Sequence, residues 1–381
     1  MKLKTQEFQE ACRIILGAID SRTSLNVDDN EHNSLELIAN GKTLRLNASK
    51  HNEYYVSVSL DLETEESLHA TVDAKLFLKW VSKVTTKTIE LTVNKNVLVA
   101  DSSGTFNFPM KFNNDTLVSL RKLEITNPTV SFDIDSSILG SILKYNSKEL
   151  EATESITRPI QTMYYIDEEG CITWTTASTC VNSFRLAQPI KVFLSDKVVK
   201  LFKLFKDEQV NFTLGFEEVG ARLQTRVRFF TDKIDIVSVA DNSVSLLNTV
   251  PVEAIRNLVN KAYKYSVNID TEDLVSAIQR LMLFQTGVKN GDKTAKFLFD
   301  SEKITIIKDG NTAIVEYDST PLDDTTNVTI YLSLEKMKQV LENSEEPKLT
   351  LNFGDNDKSI LLAKGNIRNA VQVEAKSKYE G

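Results

Sequence analysis

The side chains whose types and spacing could do chemistry are lysines. Over 196–206 the chain places Lys197, Lys200, Lys203 and Lys206 at three-residue intervals. Wound as a helix at about 100° per residue, this stretch keeps the four ammonium groups within one half of the wheel, and Val198, Leu201, Phe202 and Phe205 centre on the other. Such a row carries no base-reading geometry. It neutralises backbone phosphates, which gives salt-sensitive and sequence-independent binding to nucleic acid. A helix expected over 70–85 repeats the arrangement, with Lys75, Lys79 and Lys83 at i, i+4 spacing opposite Leu76, Phe77, Trp80, Val81 and Val84. Lys336 and Lys338 repeat it more weakly in a helix expected over 334–342. On a single helix a lysine stripe is most simply a solvated face. Its recurrence in a chain of net charge −8 gathers these lysines against the average, and it is the distribution that a polyanion feels.

Bond-making chemistry finds little support. The three histidines, His32, His51 and His69, stand in polar stretches without the spacing of metal ligands. No GxSxG elbow, phosphate-cradling Walker loop or GxGxxG turn is present. The acidic run Asp61 to Glu66 reads as a solvated loop. Cys12, Cys171 and Cys180 are odd in number and widely spaced, so reduced thiols are expected, with neither a disulfide framework nor a zinc site. No catalytic residue, metal or cofactor is assigned.

The 381 residues are enough for two or three domains. Hydrophobic residues at 41% and charged residues at 26% are ordinary for a globular protein. No run reaches the roughly eighteen apolar residues of a membrane span, and the first twenty residues carry Glu and Gln where a signal peptide is apolar. A cytoplasmic location and no membrane partner are expected.

The elements that must hold the lysines come in three rounds. A helix over 5–19, with Phe8, Cys12, Ile15 and Leu16 inward and Arg13 outward, precedes strands over 34–37 and 42–47 joined by an Asn40-Gly41 hairpin turn. A strand over 54–62, the lysine helix over 70–85 and strands over 88–93, 97–100 and 105–112 complete that round. The second has a strand over 129–134, a helix over 136–149, extended runs over 162–166, 171–176 and 183–187, the helix over 196–206, and strands over 209–215, 221–230 and 233–238. The third has helices over 271–284 and 334–342 among strands, with Thr271 as the N-cap of the first. The expected fold class is α+β, with three similar domains at 1–126, 127–262 and 263–381, each placing two helices on antiparallel sheet.

Just before the second lysine stripe, Asn182-Ser183-Phe184-Arg185-Leu186-Ala187 resembles the Asp-Gly-His-Arg-Leu-Ala turn of bacterial DNA polymerase III beta-subunit sliding clamps, which a strand and an inner-surface helix follow in the same order. With the threefold pattern, the resemblance spans nearly the whole chain. It implies a DNA-clamp fold in which two chains close head to tail into a ring of pseudo-sixfold symmetry around double-stranded DNA, a homodimer lined by helices. It further implies that Arg22, after the first helix, and Tyr164 and Tyr165 resemble DNA-contacting loop residues; an ordinary strand pair is the alternative for the tyrosines. Phe106 and Phe108 resemble an apolar ring-interface pair, and Leu283 and Phe284, apolar where solvent is expected, suggest its complement.

The same resemblance implies a pocket for short hydrophobic peptides of the replicative polymerase, an ATP-driven clamp loader and repair factors. Its walls here would be Ile166, Val181, Ser183, Phe184, Arg185, Leu186, Val371 and Val373. Phe184 stands where the family has His and Ser183 where it has Gly. The end of the chain lacks the family's Met-Pro-Met-Arg, and its FPDY stretch is missing apart from Pro251. These departures imply altered partner preference and a divergent clamp, phage-encoded or otherwise. The expected function is a polymerase processivity factor acting in a bacterial cytoplasm or a phage-infected cell. The rivals are a clamp-fold platform for transcription or other DNA-associated factors without polymerase tethering, and an enzyme whose site the sequence does not reveal.

Overall fold

The computed structural model describes residues 1–19, 31, 33–50, 53–149, 159–175, 177–220, 222–284, 294–318, 322–323, 327–342, 346–354 and 357–374. Arg22, His32 and His51 lie outside these residues. Among the described residues the α-helices are α1 (Thr5–Leu16), α2 (Ala74–Val81), α3 (Ser136–Tyr145), α4 (Asp196–Val199), α5 (Val244–Leu247), α6 (Val252–Asn260), α7 (Thr271–Leu283) and α8 (Leu334–Leu341). The fold is α+β, with antiparallel sheets carrying the helices.

Six of these helices begin on the residue after a strand ends, following Lys4, Asp73, Asp135, Ser195, Asp270 and Ser333. A chain leaving a strand with no linker has its first helical amides unpaired. In four of the six junctions the last strand residue accepts from them: Asp73 from Leu76 N–H at 2.8 Å, Asp135 from Ser137 at 2.8 Å, Asp270 from Glu272 at 2.9 Å and Ser333 from Lys336 at 3.3 Å. Thr271, expected as the cap of α7, is instead its first helical residue and is buried. The carboxylate one position earlier reaches two amides, which the shorter threonine hydroxyl inside the first turn does not.

The chain falls into two compact units that interleave in sequence, 1–139 with 197–241 and 140–196 with 242–381. The segment 127–262 is therefore shared between them. The first unit contains a sheet of Lys2–Lys4, Thr88–Asn94, Val97–Asp101 and Thr105–Pro109 in that spatial order. Its second sheet runs Ser34–Lys50, Tyr54–Asp73, Ile234–Val239, Arg222–Phe230, Gln209–Val219, Asn127–Asp135. The strand Ile234–Val239 hydrogen-bonds to Tyr54–Asp73, so residues nearly two hundred positions apart share one ladder.

The second unit holds an eight-stranded sheet ordered Lys191–Ser195, Met163–Asp167, Gly170–Trp174, Ser178–Ser183, Ile367–Gln372, Ser359–Lys364, Lys348–Phe353, Tyr265–Asp270. A four-stranded sheet runs Asn311–Glu316, Lys303–Lys308, Thr294–Phe299, Val328–Ser333. One core cluster joins α7 and α8 to these strands through Ile278, Leu281, Met337 and Phe353. A second lies on the eight-stranded sheet under α6, around Tyr165, Val181, Phe193, Ile255 and Val259.

Local signals were overridden at several places. Asn40-Gly41 does not reverse the chain. Ser34–Lys50 is one strand, and Gly41, at φ 62°, pairs with Glu66 while Thr43 pairs with Asp61, so the glycine serves a ladder irregularity. The acidic run Asp61 to Glu66 is thus part of the strand Tyr54–Asp73, and α2 starts at Ala74 rather than 70. Residues 184–187 are not a strand. Leu16 and Leu76, expected inward, are exposed. Helices α5 and α6 were not expected; Pro251 before the spacing Val252, Ile255, Leu258, Val259 is the signal that marks α6.

Candidate nucleic-acid interface

The stretch 196–206 is not a uniform helix. After α4 the chain tightens into a 3-10 helix, Lys200–Leu204, with three residues per turn. That winding superposes residues three apart and sharpens the lysine row. Val198, Leu201, Phe202 and Phe205 are buried as their spacing requires, and the Phe202 ring meets Phe229 edge-on at 4.8 Å. Lys200, Lys203 and Lys206 are exposed. Lys197 behaves differently: its Nζ lies 3.0 Å from Glu53 Oε1, and Lys50 Nζ lies at the same distance from that oxygen. Burial, reinforced by the Lys197 ammonium, holds Lys50 below the ordinary lysine range. One carboxylate therefore shares its charge between two lysines, and Lys197 is half withdrawn from the row.

On α2, Lys75 and Lys79 are exposed and Lys83 follows just past its end. Leu76, 56% exposed, lies among them. Lys79, Lys83, Lys203 and Lys206 make no hydrogen bond or salt bridge to any described residue through their side chains, which leaves their charge for a ligand. In the second unit Lys336 donates to Gln339 at 3.1 Å and Lys338 pairs with Glu342 at 3.4 Å.

Beside Lys203 and Lys206 lies a cavity of about 680 Å³. Its rim carries Arg13 from α1, Lys203, Lys206 and Lys233 against Glu10 and Glu208. Its floor is apolar, from Ile14, Leu204 and Ile234. Arg13 donates to Glu10 through Nε at 2.9 Å, and that bond, with Lys206 adding a smaller effect, holds the Glu10 carboxyl below the usual range. Arg13 and Lys233 were not singled out in the sequence, because they stand outside any stripe and only the pairing of Ile234–Val239 with Tyr54–Asp73 brings Lys233 to α1.

Tyr164 and Tyr165 are buried and offer no stacking surface. The Tyr164 hydroxyl donates to Asp196 at 3.0 Å, and burial, with Asp196 beside it, drives its acidity far below that of free tyrosine. Tyr165 faces the cluster under α6 and meets Phe193 at 5.3 Å. The expectation of aromatic DNA contacts gives way to the strand-pair alternative: both residues sit inside the strand Met163–Asp167, one on each face of the sheet.

The residues expected to wall a peptide pocket are divided between the two faces of the eight-stranded sheet. Ile166 pairs with Cys171, which pairs with Asn182; Val181 pairs with Ile172, which pairs with Tyr165. Alternation therefore puts Ile166 and Val181 on opposite faces. Val371 and Val373 belong to the cluster packed by α7 and α8. Ser183 and Arg185 are exposed, Phe184 is half-buried and Leu186 is buried, its N–H donating to Glu168 O at 2.9 Å. On the Val181 face, half-buried Met163, Trp174, Leu246, Leu247 and Val252 form an apolar patch. Arg256 of α6 is anchored there by both oxygens of buried Asp167, at 2.7 and 2.8 Å.

Phe106 and Phe108 lie on Thr105–Pro109, the outermost strand of its sheet. Phe108 is buried against Phe77 and Trp80, whereas Phe106 is 40% exposed beside Trp80 at 5.2 Å. Leu283 and Phe284, at the end of α7, are 69% and 63% exposed. Asn311–Glu316, the outermost strand of the other four-stranded sheet, carries exposed Ile314 and packs against α7.

Paired helices entered directly from antiparallel strands, repeated along the chain, define a DNA-clamp fold. Solved structures agree over 98% of this chain. Similar are DNA polymerase III subunit beta from Borrelia burgdorferi, at TM-score 0.79, 12% identity and 99% of that chain covered, and the beta subunit from Thermotoga maritima, at 0.78, 13% and 98%. The DNA polymerase sliding clamp from Bacillus subtilis follows at 0.76, 15% and 98%. No protein-family model and no curated protein sequence matches the chain. The likeness is one of fold, that of the DNA polymerase III beta-subunit sliding clamp, carried by a divergent sequence.

Proposed function

We propose that the protein is a sliding clamp: a processivity factor of three repeats, 1–126, 127–262 and 263–381, two copies of which encircle duplex DNA and tether a replicative polymerase after loading by an ATP-driven loader in the cytoplasm. The observation that supports this most is the clamp fold over 98% of the chain, with Lys79, Lys83, Lys203 and Lys206, on or just beyond helices, making no hydrogen bond or salt bridge to described residues. In this role the chain breaks no bond. Its lysines hold phosphates loosely enough to exchange them, which permits sliding. Two free edge strands with exposed apolar residues, Phe106 on one and Ile314 on the other with Leu283 and Phe284 nearby, suit head-to-tail closure of two copies. The deciding measurement is retention on circular against linearised DNA after loading; equal loss from both would remove encirclement. Light scattering of the double variant Phe106→Asp, Leu283→Asp should show the mass of one chain where the unaltered protein shows two.

A second reading, a clamp-fold platform without polymerase tethering, is favoured by one observation: the residues expected to form the peptide pocket are split between two faces of the sheet. The apolar patch on the Val181 face is then the surface for a hydrophobic peptide. Trp174→Ala with Leu247→Ala separates the two readings. Lost polymerase binding supports tethering, and unchanged polymerase binding leaves the platform.

A further inference from the structure

The cavity at the end of α1 differs from a lysine stripe in being concave and drawn from three separate elements. Arg13 comes from α1, Lys203 and Lys206 from the 3-10 helix and the residues after it, and Lys233 from the turn before Ile234–Val239. Gly17 lets the first two meet: a Cβ there would stand 3.0 Å from Leu204 Cδ2 and 3.2 Å from Lys203 Cε. Lys203, Lys206 and Lys233 make no side-chain hydrogen bond or salt bridge to described residues, and Arg13 commits two guanidinium donors to Glu10, leaving others of its five. Four cations therefore oppose two carboxylates in a chain of net charge −8.

We propose that this notch is a discrete phosphate seat in which Arg13 and Lys233, together with Lys203 and Lys206, grip successive phosphates of a nucleic-acid backbone. The proposal rests on the DNA-binding reading above and deepens it: contact is concentrated at a fixed point of the first unit instead of being spread evenly over the helix faces. A stripe of flexible lysines follows any phosphate. A walled notch holding a planar guanidinium fixes where the strand crosses.

The test uses the full chain and a mixed-sequence linear duplex, titrating affinity against salt. For Arg13→Gln with Lys233→Gln, the slope of log K against log salt should fall by about two, at about 0.9 per phosphate contact. Arg13→Lys with Lys233→Arg should restore it. Both positions are solvent-exposed, and thermal melting checks that the variants fold. A slope equal to that of the unaltered chain overturns the seat. If Lys75→Glu with Lys79→Glu still weakens binding in that case, the DNA reading survives without the seat; if it does not, both fall. Inorganic phosphate distinguishes the other source of the same chemistry. Stabilisation by free phosphate that the Gln pair abolishes, with no change in DNA slope, would make this a small-anion site and overturn the nucleic-acid assignment.

Discussion

The helices of the two units stand on closely similar strand–helix junctions, yet their outward faces carry different charge. In the first unit Lys79, Lys83, Lys203 and Lys206 make no side-chain hydrogen bond or salt bridge to described residues. In the second, α7 opens with exposed Glu272 and Asp273, and the α8 lysines are engaged by Gln339 and Glu342. The backbone geometry is common to both and the electrostatics are not. The shared fold thus sets where the helices start, and the side chains set the charge each one presents.

The largest effect expected from breaking this contrast is on DNA. Lys200→Glu, Lys203→Glu and Lys206→Glu together should flatten the salt dependence of binding by about three and abolish measurable binding near physiological salt, whereas Lys336→Glu with Lys338→Glu should leave both nearly unchanged. Equal losses from the two sets would show that the second unit shares the contact.

Next in size are the cores. Phe202→Ala in the first unit and Phe353→Ala in the second each empty a fully buried aromatic site and should cost about 3–5 kcal/mol in denaturant unfolding. Hydrogen exchange sharpens the comparison: each variant should lose protection mainly within its own unit, and uniform loss would contradict two compact units.

Alkaline pH should separate the units more gently. Burial raises Tyr164, Tyr165, Tyr263 and Tyr317 in the second unit, and Tyr55 in the first. Groups raised on folding contribute stability that is complete below their unfolded value, about 10 for tyrosine, and is lost as pH climbs toward the folded value. The buried thiols of Cys12 and Cys171 act in the same direction, one in each unit. The second unit should therefore open first. Trp80 and Trp174 are the only tryptophans, one per unit, so Trp80→Phe and Trp174→Phe leave a single reporter of each; simultaneous fluorescence transitions would sink the prediction.

The smallest effect is at the caps. Asp73→Ala and Asp270→Ala should each lower stability by about 1 kcal/mol, while Thr271→Val should not remove the cap bond. A larger loss from the threonine than from Asp270 would reverse the capping assignment.

Much of this was legible in the sequence where neighbours along the chain carry the signal. The burial of Val198, Leu201, Phe202 and Phe205 opposite exposed Lys200, Lys203 and Lys206 followed from spacing alone. The α+β class followed from alternating strands between two-faced helices. Missed features depended on distant partners. The turn preference of Asn40-Gly41 yielded to a long ladder between Ser34–Lys50 and Tyr54–Asp73, and the pocket residues, adjacent by resemblance, parted because a strand sends successive side chains to opposite faces.

By itself the sequence determined which residues could turn inward within each element, and that no familiar catalytic motif accompanies the lysines, because helix and strand periods are written in residues a few positions apart. Only the tertiary structure decided that Glu53 would occupy Lys197, that Tyr164 and Tyr165 would be buried, and that Arg13 and Lys233 would meet Lys203 and Lys206. Those outcomes depend on which strands pair across long stretches of chain, and that pairing is set by the summed burial and hydrogen bonding of whole sheets, which no local window contains.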